Sequence, residues 1–443
     1  MDLFLFIYFF KYLSNNKNTI STMLNKTNAW LWIPTLYFAS GLPYHAITSI
    51  SDIMYKDMGV DNTSIALYTS ILLIPWTIKP LWSPFVEMIG TRRSWTLYSQ
   101  LLLVICFATI AFVIPSSSFV LLTLIAFMAG AFVSSTHDIA LDGFYILGLS
   151  QEKQSFFSGI RNTFYRIATV FSSGVLVMFA AWMSNAIGNE AHAWSATFAI
   201  TALIMGILFL YHKKAMPKPS ADTARMPKSI GEIFQNFGDI IKSYFQKPGI
   251  WATLLFLLLF RFPEAQLGKI GKLFLMDSMT AGGLALEKGD IGFLNGVVGV
   301  IGLIIGGITG GICISRKGLK YWLWPMVIAI SLPDVVYVYM SIASPDSLVT
   351  IGSCIFIEQL GYGFGFTAYT LYMIYFAQGK YPTAHFAIST AFMSLGMMIP
   401  GMISGYIQEW IGYENFFLWV MLCTSITFIV SALIKIDPTF GKK

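Results

Sequence analysis

The sequence predicts an all-α integral membrane protein in which twelve transmembrane helices form two six-helix bundles. Composition, the spacing of apolar segments and the distribution of positive charge support this prediction. The chain of 443 residues is 56% hydrophobic and only 11% charged, with a mean hydropathy of +0.67, whereas a soluble domain has about 25% charged residues. A transmembrane helix needs about 20 apolar residues, so this length accommodates roughly a dozen spans.

The apolar segments fall into two groups of six. The first group is predicted at 29–50, 62–88, 95–114, 118–147, 154–184 and 192–212. The second group is predicted at 248–277, 289–314, 319–341, 346–378, 383–410 and 414–435. The stretch between the groups is polar and basic, and its segment from Ile230 to Tyr244 suits a short amphipathic helix on the membrane surface.

This layout predicts five regions along the chain. They are an amino-terminal extension at 1–28, a first bundle at 29–212, a linker at 213–247, a second bundle at 248–435 and a tail at 436–443. The extension has an apolar run from Leu3 to Phe10, which is too short to span a bilayer. We interpret the extension as peripheral or as the product of a misassigned start, with Met23 as an alternative initiator.

Positive charge alternates along the chain. Most of the 28 Lys and Arg residues lie in the two tails and in every second connection between apolar segments. The intervening connections carry Lys56 and Lys288 beside acidic residues such as Asp52, Asp57 and Asp61. The positive-inside rule therefore predicts that both termini lie in the cytoplasm. The net charge of +6 is dispersed over many loops, so we expect no nucleic-acid partner.

A weak internal repeat supports the division into two halves. The segments 157–167 and 385–395 lie at equivalent junctions, at a constant offset of 228 residues. Ile160 then corresponds to Ile388, and Phe164 corresponds to Phe392. Parallel six-helix repeats are a known carrier architecture, with the binding site at the interface of the halves near mid-membrane.

Charged residues inside the predicted spans are the first candidates for function, because each costs roughly 2.5–3.5 kcal/mol at the centre of a helix. The first half has Lys79, Asp138, Asp142, Arg161 and Arg166, and the second half has Arg261, Glu264, Lys269, Lys272, Asp334 and Glu358. Such groups need a partner, a water-filled cavity or a function.

Asp138 and Asp142 stand four residues apart, so they share one face of the fourth span. Two neighbouring carboxylates favour retention of a proton, as a proton-coupled carrier requires. The alternative is a static ion pair between Asp142 and Arg161 or Arg166, and the two interpretations are compatible. His137 could titrate as well, although a lone histidine beside an aspartate is more often a hydrogen-bonding residue.

In the seventh span, Pro263 is expected to interrupt the helix and to free backbone groups. Arg261 and Glu264 are three residues apart and can neutralise each other. Lys269 is a candidate for binding an anionic substrate, and pairing with Glu358 is an equal alternative. Lys79 lies near the inner end of the second span, where its side chain could reach the membrane surface.

Aromatic and hydroxyl-bearing residues cluster in two spans and suit a saccharide, which stacks on rings and hydrogen-bonds to hydroxyl groups. Aromatic belts at the membrane interface give the same composition. For the tenth span we favour cavity lining, which makes Tyr362, Phe366, Tyr369 and Tyr372 candidate substrate contacts. For Tyr37 and Tyr44 in the first span both interpretations stay open.

Motifs of other protein classes are missing from the sequence. There is no HExxH, GxSxG or DxD cluster for a membrane enzyme, and no GxxxxGK[ST] loop for ATP-driven pumping. A membrane enzyme or a sensor is therefore only a remote alternative. Cys106, Cys313, Cys354 and Cys423 lie singly in apolar segments, so we expect neither disulfides nor a metal site, and no cofactor.

Several motifs occur together in the order found in one known family. They are Phe38-Ala-Ser-Gly-Leu-Pro43, Ile78-Lys-Pro-Leu-Trp-Ser-Pro84, Arg92-Arg-Ser-Trp95, Asp138-Ile-Ala-Leu-Asp142, Tyr165-Arg166, Glu358-Gln-Leu, Gly363-Phe-Gly-Phe-Thr-Ala368 and Thr383-Ala-His-Phe-Ala387. Over about residues 29–435 the chain resembles the AmpG-type muropeptide permeases of the major facilitator superfamily. The resemblance implies a proton-driven importer of the bacterial inner membrane, and we expect the protein to be a monomer. Family substrates are N-acetylglucosamine linked to anhydro-N-acetylmuramic acid, with or without a peptide.

The chain departs from the family pattern at a few positions. His137 stands where the family usually has Gln, and Arg261 and Glu264 replace a Lys and Asp pair. These departures leave import of neutral oligosaccharides as the alternative function. Lys269 and Arg166 would suit the lactyl carboxylate of a muramic acid, which favours muropeptides.

Overall fold

The computed structural model describes residues 28–149, 151–220, 222, 230–379 and 381–441. These residues form helices and connections without a β-strand, which confirms the predicted fold class. Apart from residue 28, the predicted amino-terminal extension lies outside the described residues, as do most of the residues from 221 to 229.

The first half contains six spans, which we number in chain order. They are α1 (33–57), α2 (62–88), α3 (Arg92–Val113), α4 (Phe119–Gly148), α5 (151–187) and α6 (Glu190–Ala215). α1 includes a π-helical segment at Ala46–Ile50, and α5 includes one at Phe171–Leu176.

The second half also contains six spans. They are α7 (250–276), α8 (288–317), α9 (319–343), α10 (Leu348–Ala377), α11 (382–411) and α12 (413–433). The last two form one continuous stretch that is divided at Gly412, whose φ of 76° and ψ of 170° are not helical. α8 has a π-helical segment at Leu294–Gly299.

The first span extends further than its apolar pattern predicts. We expected it to end at residue 50 and placed Asp52 in a connection, but α1 continues to Asp57. Ile53, Met54 and Tyr55 on this extra turn are buried, and their packing extends the helix. Asp52 is consequently a residue of the bundle interior.

The linker contains a helix at Ile230–Phe245, close to the predicted amphipathic segment. Its last turn packs against the start of α11, where Tyr244 is fully buried and its hydroxyl lies 3.0 Å from the hydroxyl of Ser389. Ser243 Oγ lies 3.0 Å from Nε2 of His385. The linker is thereby attached to the second half near the beginning of α11.

The helices α2, α7 and α9 are interrupted at prolines. α7 breaks between Leu259 and Phe262, one residue before Pro263. The carbonyl of Phe260 accepts a hydrogen bond from Thr427 Oγ1 at 3.0 Å. The carbonyl of Leu257 accepts one from the Tyr369 hydroxyl at 2.6 Å. Side chains of neighbouring helices therefore satisfy backbone groups that the interruption frees.

The interruption of α9 falls at its acidic residue. A 3₁₀ segment runs over Leu332–Asp334 and includes Pro333. α10 packs directly on this segment, because a Cβ atom at Gly361 would lie 2.2 Å from the carbonyl oxygen of Ala329 and 2.7 Å from Cγ of Pro333. This close approach holds α9 and α10 together where Asp334 leaves the helix.

The hydrophobic core differs between the two ends of the helices. We call the end at which the linker attaches the linker end, and the opposite end the distal end. One large cluster of buried side chains includes Phe107 and Trp194 of the first half and Phe274 and Phe417 of the second half. At the linker end each half has a cluster of its own. Among the described residues, the hydrophobic cluster that both halves share therefore lies towards the distal end.

Candidate transport pathway and charge network

The two halves are joined at the distal end by ion pairs. Lys56 Nζ at the end of α1 lies 2.5 Å from Oδ1 of Asp277, which follows α7. Asn62 Nδ2 donates to the same carboxylate at 3.1 Å, and the Tyr413 hydroxyl donates to it as well. Burial alone would raise the pKa of Asp277, but these donors outweigh it and hold that pKa below its usual value.

A second connection lies beside the first. Lys288 at the start of α8 pairs with Asp57 at 2.8 Å and also with Glu190 of α6. The indole of Trp194 donates to Asp57 at 2.7 Å. One lysine of the second half thereby holds two acidic residues of the first half.

Deeper in the bundle, Lys269 and Lys272 of α7 meet Asp52 of α1. The Nζ of Lys269 lies 3.0 Å from Oδ1 of Asp52 and 2.8 Å from Oγ1 of Thr69. Lys272 Nζ lies 3.4 Å from Oδ2 of Asp52. In this structure Lys269 therefore pairs with Asp52 and not with Glu358, whereas its binding of substrate stays a prediction. Asp52 was not a candidate partner for Lys269, because the sequence pattern places it in a connection outside the first span.

Glycines bring the halves into backbone contact at the distal end. A Cβ atom at Gly296 of α8 would lie 2.3 Å from the backbone of Gly174 in α5. One at Gly405 of α11 would lie 2.5 Å from Cα of Thr63 in α2. Residues without side chains permit this approach.

The two acidic residues of α4 have hydrogen-bond donors. Asp138 accepts from Ser40 Oγ at 2.6 Å and from the Trp76 indole at 3.1 Å. It also interacts electrostatically with Lys79, which lies at the interruption of α2. Asp142 accepts from the Tyr37 hydroxyl at 3.0 Å.

Asp142 also pairs with Arg161, as one of the two sequence interpretations predicted. The distance between Nη1 of Arg161 and Oδ1 of Asp142 is 3.5 Å. The Arg161 guanidinium lies 5.2 Å from the ring centres of both Tyr37 and Tyr145. The Asp142 side chain is nevertheless 56% exposed, so this pair lies at an accessible position towards the linker end.

His137 points into the packing of the first half. It is fully buried, and its Nε2 lies 3.1 Å from the amide nitrogen of Gln100. The Gln100 amide oxygen lies 3.0 Å from Nδ1 of His212, whose Nε2 lies 3.0 Å from Thr35 Oγ1. This polar chain connects α4, α3, α6 and α1, and it fits the hydrogen-bonding interpretation of His137.

Aromatic rings and Arg261 meet where the two halves face each other. Tyr44 of α1 packs edge-on against Trp76, with 5.0 Å between the ring centres. Arg261 donates to the Tyr362 hydroxyl, and its guanidinium lies 5.2 Å and 4.9 Å from the ring centres of Tyr362 and Phe366. Tyr44 and Arg261 interact electrostatically across the interface.

The other two aromatic candidates of α10 belong to the core of the second half. Tyr369 is fully buried, with its hydroxyl bound to the backbone of α7. The Tyr372 hydroxyl lies 2.8 Å from Thr253 Oγ1. The predicted aromatic set therefore divides into a pair beside Arg261 and a pair that packs inside the bundle.

Arg166 of α5 reaches towards the second half. Its Nη2 would lie 3.6 Å from a Cβ atom at Gly307 of α8. Gly307 provides the space for this side chain, so Arg166 lies between the two halves.

Three buried carboxyl groups come together in the second half. Glu264 of α7, Asp334 of α9 and Glu358 of α10 have carboxylate oxygens within 4.8 Å of one another. Glu264 and Glu358 were candidates from the sequence, whereas Asp334 was only counted among the charged residues. Pro333 beside it was the one available signal, since it predicts a break in the helix.

The chain matches known transporters over most of its length. Residues 35–399 match the family model of the Major Facilitator Superfamily. The chain is 25% identical over 390 residues to the Anhydromuropeptide permease of Escherichia coli (strain K12), which covers 87% of this chain and 75% of that protein. It is also 25% identical over 413 residues to Putative transporter AmpG 4 of Rickettsia felis, covering 90% of this chain and 95% of that one.

Solved structures of low sequence identity share the fold. The D-xylose-proton symporter superposes with a TM-score of 0.70 at 11% identity, covering 93% of this chain and 98% of that chain. The nucleoside transporter NupG gives 0.67 at 16% identity, covering 94% and 100%. The described residues include ten helices that are long and apolar enough to cross a membrane, and the last of them is the stretch that Gly412 divides. With this architecture and a family match over residues 35–399, the chain belongs to the Major Facilitator Superfamily, as a multi-pass transporter of the bacterial inner membrane that is similar to the AmpG-type muropeptide permeases.

Proposed function

We propose that this transporter imports muropeptides together with protons by alternating access of its two halves. The observation that carries the proposal is the position of Arg261, a buried cation among aromatic rings where the halves face each other. The similarity to the Anhydromuropeptide permease supports the substrate class.

The groups around Arg261 suit a carboxylate-bearing saccharide. A guanidinium recognises a carboxylate through two parallel hydrogen bonds. The rings of Tyr44, Tyr362 and Phe366 offer apolar faces on which a sugar can stack, and the hydroxyl groups of the two tyrosines can bind sugar hydroxyls. In an anhydromuramyl saccharide, the lactyl group or the attached peptide would supply the carboxylate for Arg261.

The direction of opening follows from charge and from the contacts between the halves. From the positive-inside rule, we expect the linker end to lie in the cytoplasm. Ion pairs, glycine contacts and a shared core join the halves at the distal end. This conformation therefore corresponds to a carrier whose central site is shut off from the outside and faces the cytoplasm.

Coupling to protons is supported by carboxyl groups within the membrane. Asp138, Asp142 and the carboxyls of the second half lie in spans where a permanent charge is expensive. A role in proton exchange during transport would explain why carboxyl groups are present in these spans despite that cost.

The test is uptake into proteoliposomes that contain the purified protein. Labelled N-acetylglucosaminyl-anhydro-N-acetylmuramic acid should accumulate when the outside is acidic, and a protonophore should abolish the accumulation. A matched neutral disaccharide without the lactyl carboxylate should accumulate poorly. Accumulation that survives the protonophore would contradict proton coupling, and equal uptake of the neutral disaccharide would favour an oligosaccharide carrier.

A further inference from the structure

The three carboxyl groups of the second half are buried and lie close to one another. Asp334 is 2% exposed, Glu358 is 4% exposed and Glu264 is 8% exposed. Their oxygens lie within 4.8 Å of one another, although each residue comes from a different helix. We call Glu264, Asp334 and Glu358 the carboxyl trio.

Three carboxylate oxygens of the trio lack a hydrogen-bond partner among the described residues. Among the described residues, neither carboxylate oxygen of Asp334 has a hydrogen-bond partner, and Oε2 of Glu264 has none. Oε2 of Glu358 accepts from the side chain of Gln359 at 2.8 Å. A fully buried carboxylate without donors is unstable as an ion, so Asp334 points to a ligand that is bound at this place.

Few charged or titratable groups surround the trio. Those that interact with it electrostatically are Arg261, Tyr337 and Tyr362. Cys354 acts on Tyr337, and Tyr44 of the first half acts on Arg261 and Tyr362. Arg261 is the one permanent cation in this set. Three ionised carboxylates beside one guanidinium would leave an excess of negative charge in a water-poor interior. Bound protons would remove that excess.

A proton fits the trio better than a metal ion does. Calcium needs six to eight oxygen ligands, and magnesium needs an octahedral set, whereas the trio offers three carboxyl groups beside a repelling guanidinium. Carboxyl groups that share a site hold a proton between them, because two negative charges cannot remain so close together.

We propose that the carboxyl trio is the proton-binding site of the transport cycle and that Arg261 connects it to the substrate. This inference rests on the proposed function and assigns the coupling to the second half. When the trio is protonated, Glu264 no longer attracts Arg261, and the guanidinium is available to a substrate carboxylate. When the substrate leaves, Arg261 again favours the ionised form of Glu264, and a proton is released on the same side.

The first test needs no substrate. Infrared difference spectra of the purified protein should show a protonated-carboxyl band at neutral pH. The band should be reduced in Asp334→Asn and in Glu264→Gln, and further reduced when all three carboxyls are replaced by amides. The control Asp346→Asn, in the exposed connection between α9 and α10, should leave it unchanged. A band that survives the triple replacement overturns the assignment.

The second test separates coupling from binding. Asp334→Asn should still exchange labelled for unlabelled substrate across the membrane, while its proton-driven accumulation falls to equilibrium. For one proton per substrate, the loss is about tenfold per unit of imposed pH gradient. Glu264→Gln serves as the second variant if Asp334→Asn does not fold. Full accumulation by both variants overturns the inference.

The two proposals fail in different ways. If the unaltered protein does not take up muropeptides, the proposed function is wrong, while the infrared titration still reports on the trio. A sodium titration provides the remaining control. If sodium raises the midpoint of thermal unfolding for the unaltered protein but not for Asp334→Asn, the trio is a metal-cation site and the proton assignment is wrong.

Discussion

The membrane-embedded acidic groups of the two halves differ in their hydrogen-bond partners. In the first half, Asp138 accepts hydrogen bonds from Ser40 and Trp76, and Asp142 is held by Tyr37 and Arg161. In the second half, Asp334 lies against two other carboxyl groups without a donor among the described residues. Satisfied carboxylates can remain ionised and hold helices in place, whereas unsatisfied ones gain from binding a proton. The partners of an acidic group, more than its depth, indicate which role it has.

Replacement of the cation beside the trio should have the largest effect. Arg261→Gln removes the charge that faces both the trio and the substrate. A hydrogen bond to a charged group contributes about 2 kcal/mol, so the initial rate of muropeptide uptake should fall by about 30-fold. Arg261→Lys keeps the charge but lacks the planar guanidinium, so its uptake rate should lie between those of the unaltered protein and Arg261→Gln. Uptake at the unaltered rate in Arg261→Gln would remove this residue from the substrate site.

Replacement of an acidic group of the first half should be milder. Asp142→Asn can still accept from Tyr37 but loses its charge opposite Arg161. Because the side chain is 56% exposed, the ion pair contributes well under 1 kcal/mol. Proton-driven accumulation should stay within about threefold of the unaltered protein. If Asp142→Asn lost accumulation but exchanged substrate normally, proton coupling would depend on the first half. That result would contradict the contrast between the two halves.

An acidic group with a lysine partner should show its effect in the pH dependence of stability. The pKa of Asp277 is lower in the folded protein than its ordinary value, so its contribution is present at neutral pH and is lost as the pH falls through the lowered value. Asp277→Asn should lower the free energy of unfolding by roughly 1 kcal/mol near pH 7. The difference from the unaltered protein should shrink once the pH falls below about 4.

Thermal unfolding in detergent over this pH range measures the effect. Asp346→Asn, which is exposed, is the matched control and should show no pH-dependent difference. A difference for Asp277→Asn that grows on acidification would have the wrong sign for a carboxylate stabilised by Lys56.

The smallest effect is expected at His137. Gln in its place can keep the contact with Gln100 across the buried polar chain. His137→Gln should therefore change the free energy of unfolding by no more than about 0.5 kcal/mol and leave uptake unaltered. Selective loss of uptake with normal stability would show that His137 has a direct role in transport.

The fold could be predicted because it follows from local patterns. Apolar segments of bilayer length and alternating positive charge indicate helices and their direction along the chain. The interruption of α7 could be predicted as well, since Pro263 cannot donate to the helical ladder. These features need no knowledge of which helices are neighbours.

The site was harder to predict because it depends on which helices meet. Lys269 pairs with Asp52, which is 217 positions away and lies in the other half. Tyr362 and Tyr369 belong to one aromatic run that covers several faces of α10, so the sequence did not show which ring faces Arg261. Asp334 is a single acidic residue in an apolar segment, and its significance appears only when Glu264 and Glu358 lie beside it.

The hydrophobic cluster that both halves share at the distal end bears on the speed of the cycle. Moving the halves apart there would divide this cluster and separate Gly174 from Gly296. The apolar surface that this movement exposes must be hydrated before a new substrate molecule can enter. Outward opening of the empty carrier therefore carries the cost of exposing apolar surface.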